Sequence, residues 1–276
     1  MRKLARAGWR ARPRVPGMDF EVPVDGGSIW GEDSGGSGPA ILLAHSGLAD
    51  HRLWDPIWPA LTSRGRVIRY DARGYGRSSL PATGYRQADD MLRVLDDRGL
   101  SSAHLVGCSI GGATAIDVAL AQPDRVASLT LLCPGLSGYP WPEEPEVDAD
   151  FQAAEASGGP SAVAAVAVRE WAAAGGDPLI TDMLLGAIRA WPAEQEHCLD
   201  PDESAYGRLG EVRAPTVLLV GDLDRPALVA CDEAIASGIP GCDLIVLPEV
   251  DHYPSLRDPE AVVGAIARQC GLAEPV

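Results

Sequence analysis

Apolar residues along this chain gather into short runs, and between the runs they recur every three or four positions. Ala40–Ala44, Val217–Val220 and Leu244–Leu247 are continuous apolar stretches bounded by Gly, Pro, Ser or Asp, the pattern of strands buried on both faces. The pattern predicts strands near 20–24, 28–33, 40–44, 66–70, 103–107, 126–132, 214–220 and 243–247, and helices near 55–64, 86–98, 111–121, 226–236 and 258–269. The first two strands flank Asp25-Gly26-Gly27 and read as a hairpin; the later ones alternate with helices. The expected fold class is therefore α/β: a mostly parallel eight-stranded sheet with helices on both faces.

The alternation stops after Leu131-Leu132-Cys133-Pro134-Gly135. Residues 136–206 are rich in Pro, Ala, Trp and acidic residues. Within them Val163, Ala167 and Trp171 recur on a four-residue step, and Leu184, Ile188 and Trp191 are similarly spaced. This segment is expected to be a helical cap inserted between 18–135 and 207–276, which together form the core.

Composition narrows the classes of function. A chain of 276 residues with 46% hydrophobic and 22% charged residues suits one enzyme-sized globular domain. The net charge of −16 argues against nucleic acid and anionic membranes as partners, and no apolar run is long enough to cross a bilayer. The charge is uneven: Arg2, Lys3, Arg6, Arg10, Arg12 and Arg14 precede the first acid, Asp19. Residues 1–17 lack the apolar centre of a secretion signal and are expected to be a disordered basic extension. Six cysteines show no C-x-x-C and no regular framework, which points to a reducing, cytoplasmic setting. Neither metal-ligand spacing nor a phosphate-binding glycine loop occurs, so no metal or cofactor is expected; a homodimer is compatible with these features.

The chemistry begins at Gly107-Cys108-Ser109-Ile110-Gly111, a G-x-S-x-G placed where an apolar strand ends and a helical pattern starts. The flanking glycines allow the backbone to cross itself closely, and Ser109 would present its hydroxyl outward beside the free N–H groups of a helix N-terminus. A serine hydroxyl needs a base, and that base a carboxylate. Of five histidines, His45 ends an upstream strand, His51 lies in a polar turn, His104 sits inside a strand and His197 in a Cys/Asp/Glu-rich connection. His252, in a loop after the last strand, remains. Between Ser109 and His252 the strand at 214–220 empties into Gly221-Asp222-Leu223-Asp224, offering two carboxylates at one sheet edge. Asp224 is further out and freer to reach the histidine, whereas Asp222 suits holding the turn.

These residues, in this order, resemble the α/β-hydrolase superfamily. The likeness extends to Leu42-Leu43-Ala44-His45-Ser46-Gly47, to Asp71-Ala72-Arg73-Gly74-Tyr75-Gly76-Arg77-Ser78 and to the closing Asp251-His252-Tyr253 through Pro259-Glu260, and it runs from about residue 20 to the end outside the middle third. The chain looks most like small carboxylesterases and 3-oxoadipate enol-lactonase-type members. The resemblance implies the α/β-hydrolase fold, selects Asp224 as the acid with Ser109 and His252, and gives the oxyanion hole to the backbone N–H groups of Gly47 and Ile110. His45, at a strand end, and the glycine-containing Asp71–Gly76 turn read as scaffold, and Cys108, whose side chain should point away from that of Ser109, reads as a packing residue. Leu48, Trp54, Leu136, Trp141, Trp171, Trp191 and Tyr253 are candidates for the substrate pocket. The sequence departs from the family in Ser46, where glycine is usual, and in Asp251, which puts an extra carboxylate beside His252. The implied function is two-step cleavage of a small, largely apolar carboxylic ester or lactone. C–C bond hydrolysis by the same triad and non-catalytic binding of a small molecule are the alternatives.

Overall fold

A computed structural model describes residues 17–36 and 40–272; the basic extension falls outside the described residues except for Gly17. Eight strands, β1 (Met18–Val24), β2 (Gly27–Asp33), β3 (Ala40–Ala44), β4 (Arg66–Tyr70), β5 (Ala103–Cys108), β6 (Val126–Leu132), β7 (Thr216–Gly221) and β8 (Asp243–Leu247), form one sheet in the order β1-β2-β4-β3-β5-β6-β7-β8. β2 is antiparallel to both β1 and β4, and every later pairing is parallel. The chain steps from β3 outward to β4, then returns to the other side of β3 for β5. The loops that leave β3 and β5 therefore diverge at neighbouring strand ends, and a crevice opens between them.

The apolar runs fill the sheet interior: Ile41, Leu42 and Leu43 of β3 and Leu218 and Leu219 of β7 are fully buried. Each such side chain contributes about 1.5–3 kcal/mol relative to exposure. Helices α2 (Gln87–Asp97) and α3 (Ile110–Ala121) belong with the core cluster on one face. Helices α1 (Trp58–Thr62) and α8 (Pro259–Gln269) belong with the cluster on the other. The helix expected over 55–64 is shorter, because a 3-10 turn at His51–Trp54 precedes it and Pro59 stands in its first turn.

Between β6 and β7 the chain adds two long helices, α4 (Pro145–Trp171) and α5 (Pro178–His197). Helix α4 is broken at Gly159, whose φ of 63° is left-handed and which precedes Pro160. Of the residues on the two stripes read from the sequence, Val163, Ala167 and Leu184 are buried, and Trp171, Ile188 and Trp191 are partly buried. Helix α6 (Pro226–Gly238) follows β7, and the short helix α7 (Pro254–Arg257) follows the loop carrying His252.

Candidate active site

Ser109 occupies the junction of β5 and α3 with φ 53° and ψ −118°, a conformation that L-residues avoid. Backbone hydrogen bonds hold it there: its N–H donates to Leu132, and its carbonyl accepts from Gly112, Ala113 and Gly135. The flanking glycines are steric requirements. A Cβ on Gly107 would stand 2.3 Å from the Gly111 carbonyl oxygen, and one on Gly111 would stand 2.3 Å from that of Ala44. Cys108 points the other way, fully buried, with its thiol 4.0 Å from the carbonyl of His252 and its pKa pushed up by burial.

The loop after β7 carries Asp224, and the loop after β8 carries His252. Both side chains are buried, and His252 Nδ1 lies 2.7 Å from Asp224 Oδ2. Burial raises the Asp224 pKa, but the facing imidazole and hydrogen bonds from His252, the Arg225 N–H and the Cys133 thiol outweigh it and hold the carboxyl below its ordinary value. Ionised Asp224 accepts only, so Nδ1 carries the proton and Nε2 is left with the lone pair. Asp222 bonds elsewhere, accepting the N–H of Glu249 at 2.7 Å, and so fixes the loop that leads to His252. Asp251 faces away from the imidazole: it forms an ion pair with Arg257 at 2.7 Å and accepts the N–H groups of Ala174 and Tyr253. The extra carboxylate noted in the sequence is thereby matched by a cation.

Gly47 and Ile110 lie close together across the crevice, since a Cβ on Gly47 would come 3.5 Å from Ile110 Cγ2. Neither backbone N–H has an acceptor among the described residues. His45 supports this loop: its Nε2 accepts the Ala72 N–H at 2.8 Å, and its Nδ1 meets the Ser46 carbonyl at 2.8 Å, so both ring nitrogens are satisfied by backbone. Asp71 accepts the N–H groups of His51 and Arg77, and Arg73 pairs with Asp90, so this turn braces neighbouring loops.

A mostly apolar cavity of about 520 Å³ opens beside Ser109 and Ile110. Leu136, Trp141 and Trp171 of the candidate pocket residues line it. Leu48, Trp54, Trp191 and Tyr253 do not. Leu48, Trp54 and Tyr253 are buried in the core, and Trp191 donates its indole N–H to the Gly47 carbonyl at 3.1 Å. Sequence reasoning missed the polar wall groups Arg86, Gln87, Thr114, Asp117, Glu144 and Arg225. Asp117 alone left a local signal, eight positions after the serine on one helix face.

Among the described residues two clusters place three donor atoms within 4.8 Å of one another, close enough to share a metal ion: Cys133-Asp224-His252 and Asp50-His51-Asp71. In both the donors already bond protein groups. His252 holds Asp224 in the first; in the second His51 holds Asp71 and Arg52 holds Asp50.

Three kinds of comparison bear on this site. A family model described as the alpha/beta hydrolase family matches residues 41–265. A putative carbamate hydrolase of Caulobacter vibrioides is 40% identical over 123 residues, a match that spans 43% of this chain and 42% of that protein. A 3-oxoadipate enol-lactonase of Acinetobacter baylyi is 27% identical over 82% of this chain and 86% of that protein. The crystal structure of a hydrolase from Pseudomonas aeruginosa superposes with a TM-score of 0.76 at 28% identity, covering 92% of this chain and 98% of that one.

Proposed function

Because this chain belongs to the alpha/beta hydrolase family, we propose that it is a serine hydrolase that cleaves a small carboxylic ester or lactone through an acyl-enzyme. The observation that carries this reading is the pairing of a strained, cavity-facing Ser109 with a buried His252–Asp224 hydrogen bond whose geometry leaves imidazole Nε2 as the base.

Ser109 Oγ attacks the substrate carbonyl carbon while His252 Nε2 takes its proton. Asp224 stabilises the imidazolium so formed. The carbonyl π electrons move onto oxygen, and the N–H groups of Gly47 and Ile110, which have no other acceptor among the described residues, hydrogen-bond the oxyanion. Each such donor lowers the barrier by on the order of 3 kcal/mol. The C–O bond then breaks, and His252 returns the proton to the leaving oxygen; in a lactone that oxygen stays tethered to the acyl group. Water, deprotonated by the same imidazole, attacks the acyl-enzyme and releases the acid and free Ser109.

The helices between β6 and β7 act as a cap in this reading. The names of the relatives support hydrolysis at an acyl carbon, since one is an enol-lactonase and another a putative carbamate hydrolase. The test is turnover of p-nitrophenyl butyrate and of a panel of γ- and δ-lactones by wild type and Ser109→Ala. Turnover of at least one class, lost in the variant, is expected. Activity that survives in Ser109→Ala rules the reading out.

A further inference from the structure

The cavity beside Ser109 contains a charged group that this chemistry does not use. Asp117 lies on α3, and Ser109, Ala113 and Asp117 fall four positions apart, so they form one stripe along the helix; all three line the cavity. A rise of about 1.5 Å per residue separates the two ends of the stripe by about 12 Å. Helical side chains tilt toward the N-terminus, which brings the carboxylate back toward the serine. Ala113, between them on the stripe, is apolar, and apolar Leu136 also lines the cavity.

The two arginines of the wall are already matched. Arg225 pairs with Glu144 and lies 3.8 Å from Glu170, while Arg86 donates to Asp202 and to the Asp200 carbonyl. Asp200, which also borders the cavity, is exposed to solvent. Asp117 differs from all of these. It is half-buried, and its hydrogen-bond partner among the described residues is Ser137, whose hydroxyl donates to Oδ1 at 3.0 Å and is itself fixed by the Ala205 N–H. Oδ2 has no partner among the described residues. Burial pushes the Asp117 carboxyl up to about 6, the Ser137 hydrogen bond offsetting part of the rise, so it is ionised at neutral pH and above. A partly desolvated carboxylate with no cation beside it is stabilised by a cationic ligand.

We propose that Asp117 forms a subsite for an ammonium group at the end of the substrate remote from the scissile bond. This rests on the serine-hydrolase reading. The substrate class is then an ester or lactone whose acyl chain carries a primary amine about six bonds from the carbonyl carbon, with about five methylenes lying along the apolar wall that includes Ala113. An extended chain of that length spans about 7–8 Å, and a hydrogen bond to the carboxylate adds about 3 Å.

The experiment compares kcat/KM for p-nitrophenyl 6-aminohexanoate and p-nitrophenyl hexanoate at pH 7.5, each corrected for spontaneous hydrolysis, in wild type, Asp117→Asn and Asp117→Glu. Wild type is expected to favour the amino ester by about tenfold or more, the size of one charge-assisted hydrogen bond. Asp117→Asn abolishes the preference, and Asp117→Glu, which keeps the charge, retains part of it. The same ratio in wild type and Asp117→Asn overturns the subsite while leaving the hydrolase reading intact. Failure of wild type to cleave either ester, together with failure of a fluorophosphonate to label Ser109, removes both.

Discussion

The indole of Trp191, on α5, donates its N–H to the carbonyl of Gly47, 144 residues earlier in the chain, at 3.1 Å. Gly47 is the residue whose Cβ position would lie 3.5 Å from Ile110 Cγ2, so one hydrogen bond ties the inserted helices to the proposed oxyanion loop. A second tie runs parallel to it: Tyr75, whose hydroxyl would lie 3.5 Å from a Gly47 Cβ, donates to Glu194 on the same helix. Burial pushes the Glu194 carboxyl above its ordinary value, while hydrogen bonds from Tyr75 and Gln87 lower it in part. Trp191→Phe keeps an aromatic ring, though a smaller one, and removes the donor. Because the oxyanion loop acts in the transition state, kcat is expected to fall about 3–10-fold with KM nearly unchanged. A rise in KM alone would show that Trp191 serves binding instead.

The two carboxylates of the β7 loop separate cleanly in the structure, and their variants should separate in function. Asp224→Asn leaves the imidazole hydrogen-bonded but favours the wrong tautomer, so kcat is expected to drop about 10³–10⁴-fold. Asp222→Asn touches only the bond to the Glu249 N–H. It should lower stability by about 1 kcal/mol and leave ester turnover within a few-fold of wild type. Steady-state kinetics and urea melts of the two proteins check both.

Asp232, on α6, is fully buried, and neither carboxylate oxygen has a partner among the described residues. Burial, with the nearby Asp224 charge, raises its pKa well above the ordinary value. A carboxyl raised in the folded state contributes its stability in full below the unfolded pKa and loses it as pH rises through the folded one. From about pH 4 upward, wild type must therefore protonate or strand this group, and Asp232→Asn need not. The melting temperature of Asp232→Asn relative to wild type is expected to rise between pH 4 and pH 8. A difference independent of pH would contradict the burial account.

Gly111 admits no side chain, because a Cβ there would lie 2.3 Å from the backbone carbonyl oxygen of Ala44. Gly111→Ala must therefore push α3 away from β3. A loss of about 2 kcal/mol or more, of the size that strained positions and overpacked cores give, is expected in denaturant melts.

What the sequence revealed and what it withheld follow from the range of the interactions. Strands such as Ala40–Ala44 and Thr216–Gly221 are written as local apolar runs, and Gly107 is dictated by a crossing at Gly111 only four positions away, so both were legible; the contact that excludes a side chain from Gly111 is with Ala44, far earlier in the chain. The cavity wall was not. Arg86, Glu144 and Arg225 meet there through packing of segments far apart in the chain, and no spacing records that meeting. The same holds for Trp191, whose position in a helical stripe signalled packing but not the carbonyl it would find. Trp54 shows the converse: its place after the His45 loop suggested a pocket, yet its ring is fully buried in the core with Ile57 and Leu61.

The central claim is that Ser109 is an activated nucleophile served by His252 and Asp224. Intact-mass spectrometry after exposure to a fluorophosphonate, with peptide mapping and Ser109→Ala and His252→Ala controls, tests it directly. The account predicts one phosphonyl adduct, on Ser109, that is absent from Ser109→Ala and slowed by orders of magnitude in His252→Ala. An unmodified wild-type protein, or an adduct that persists in Ser109→Ala, would contradict it.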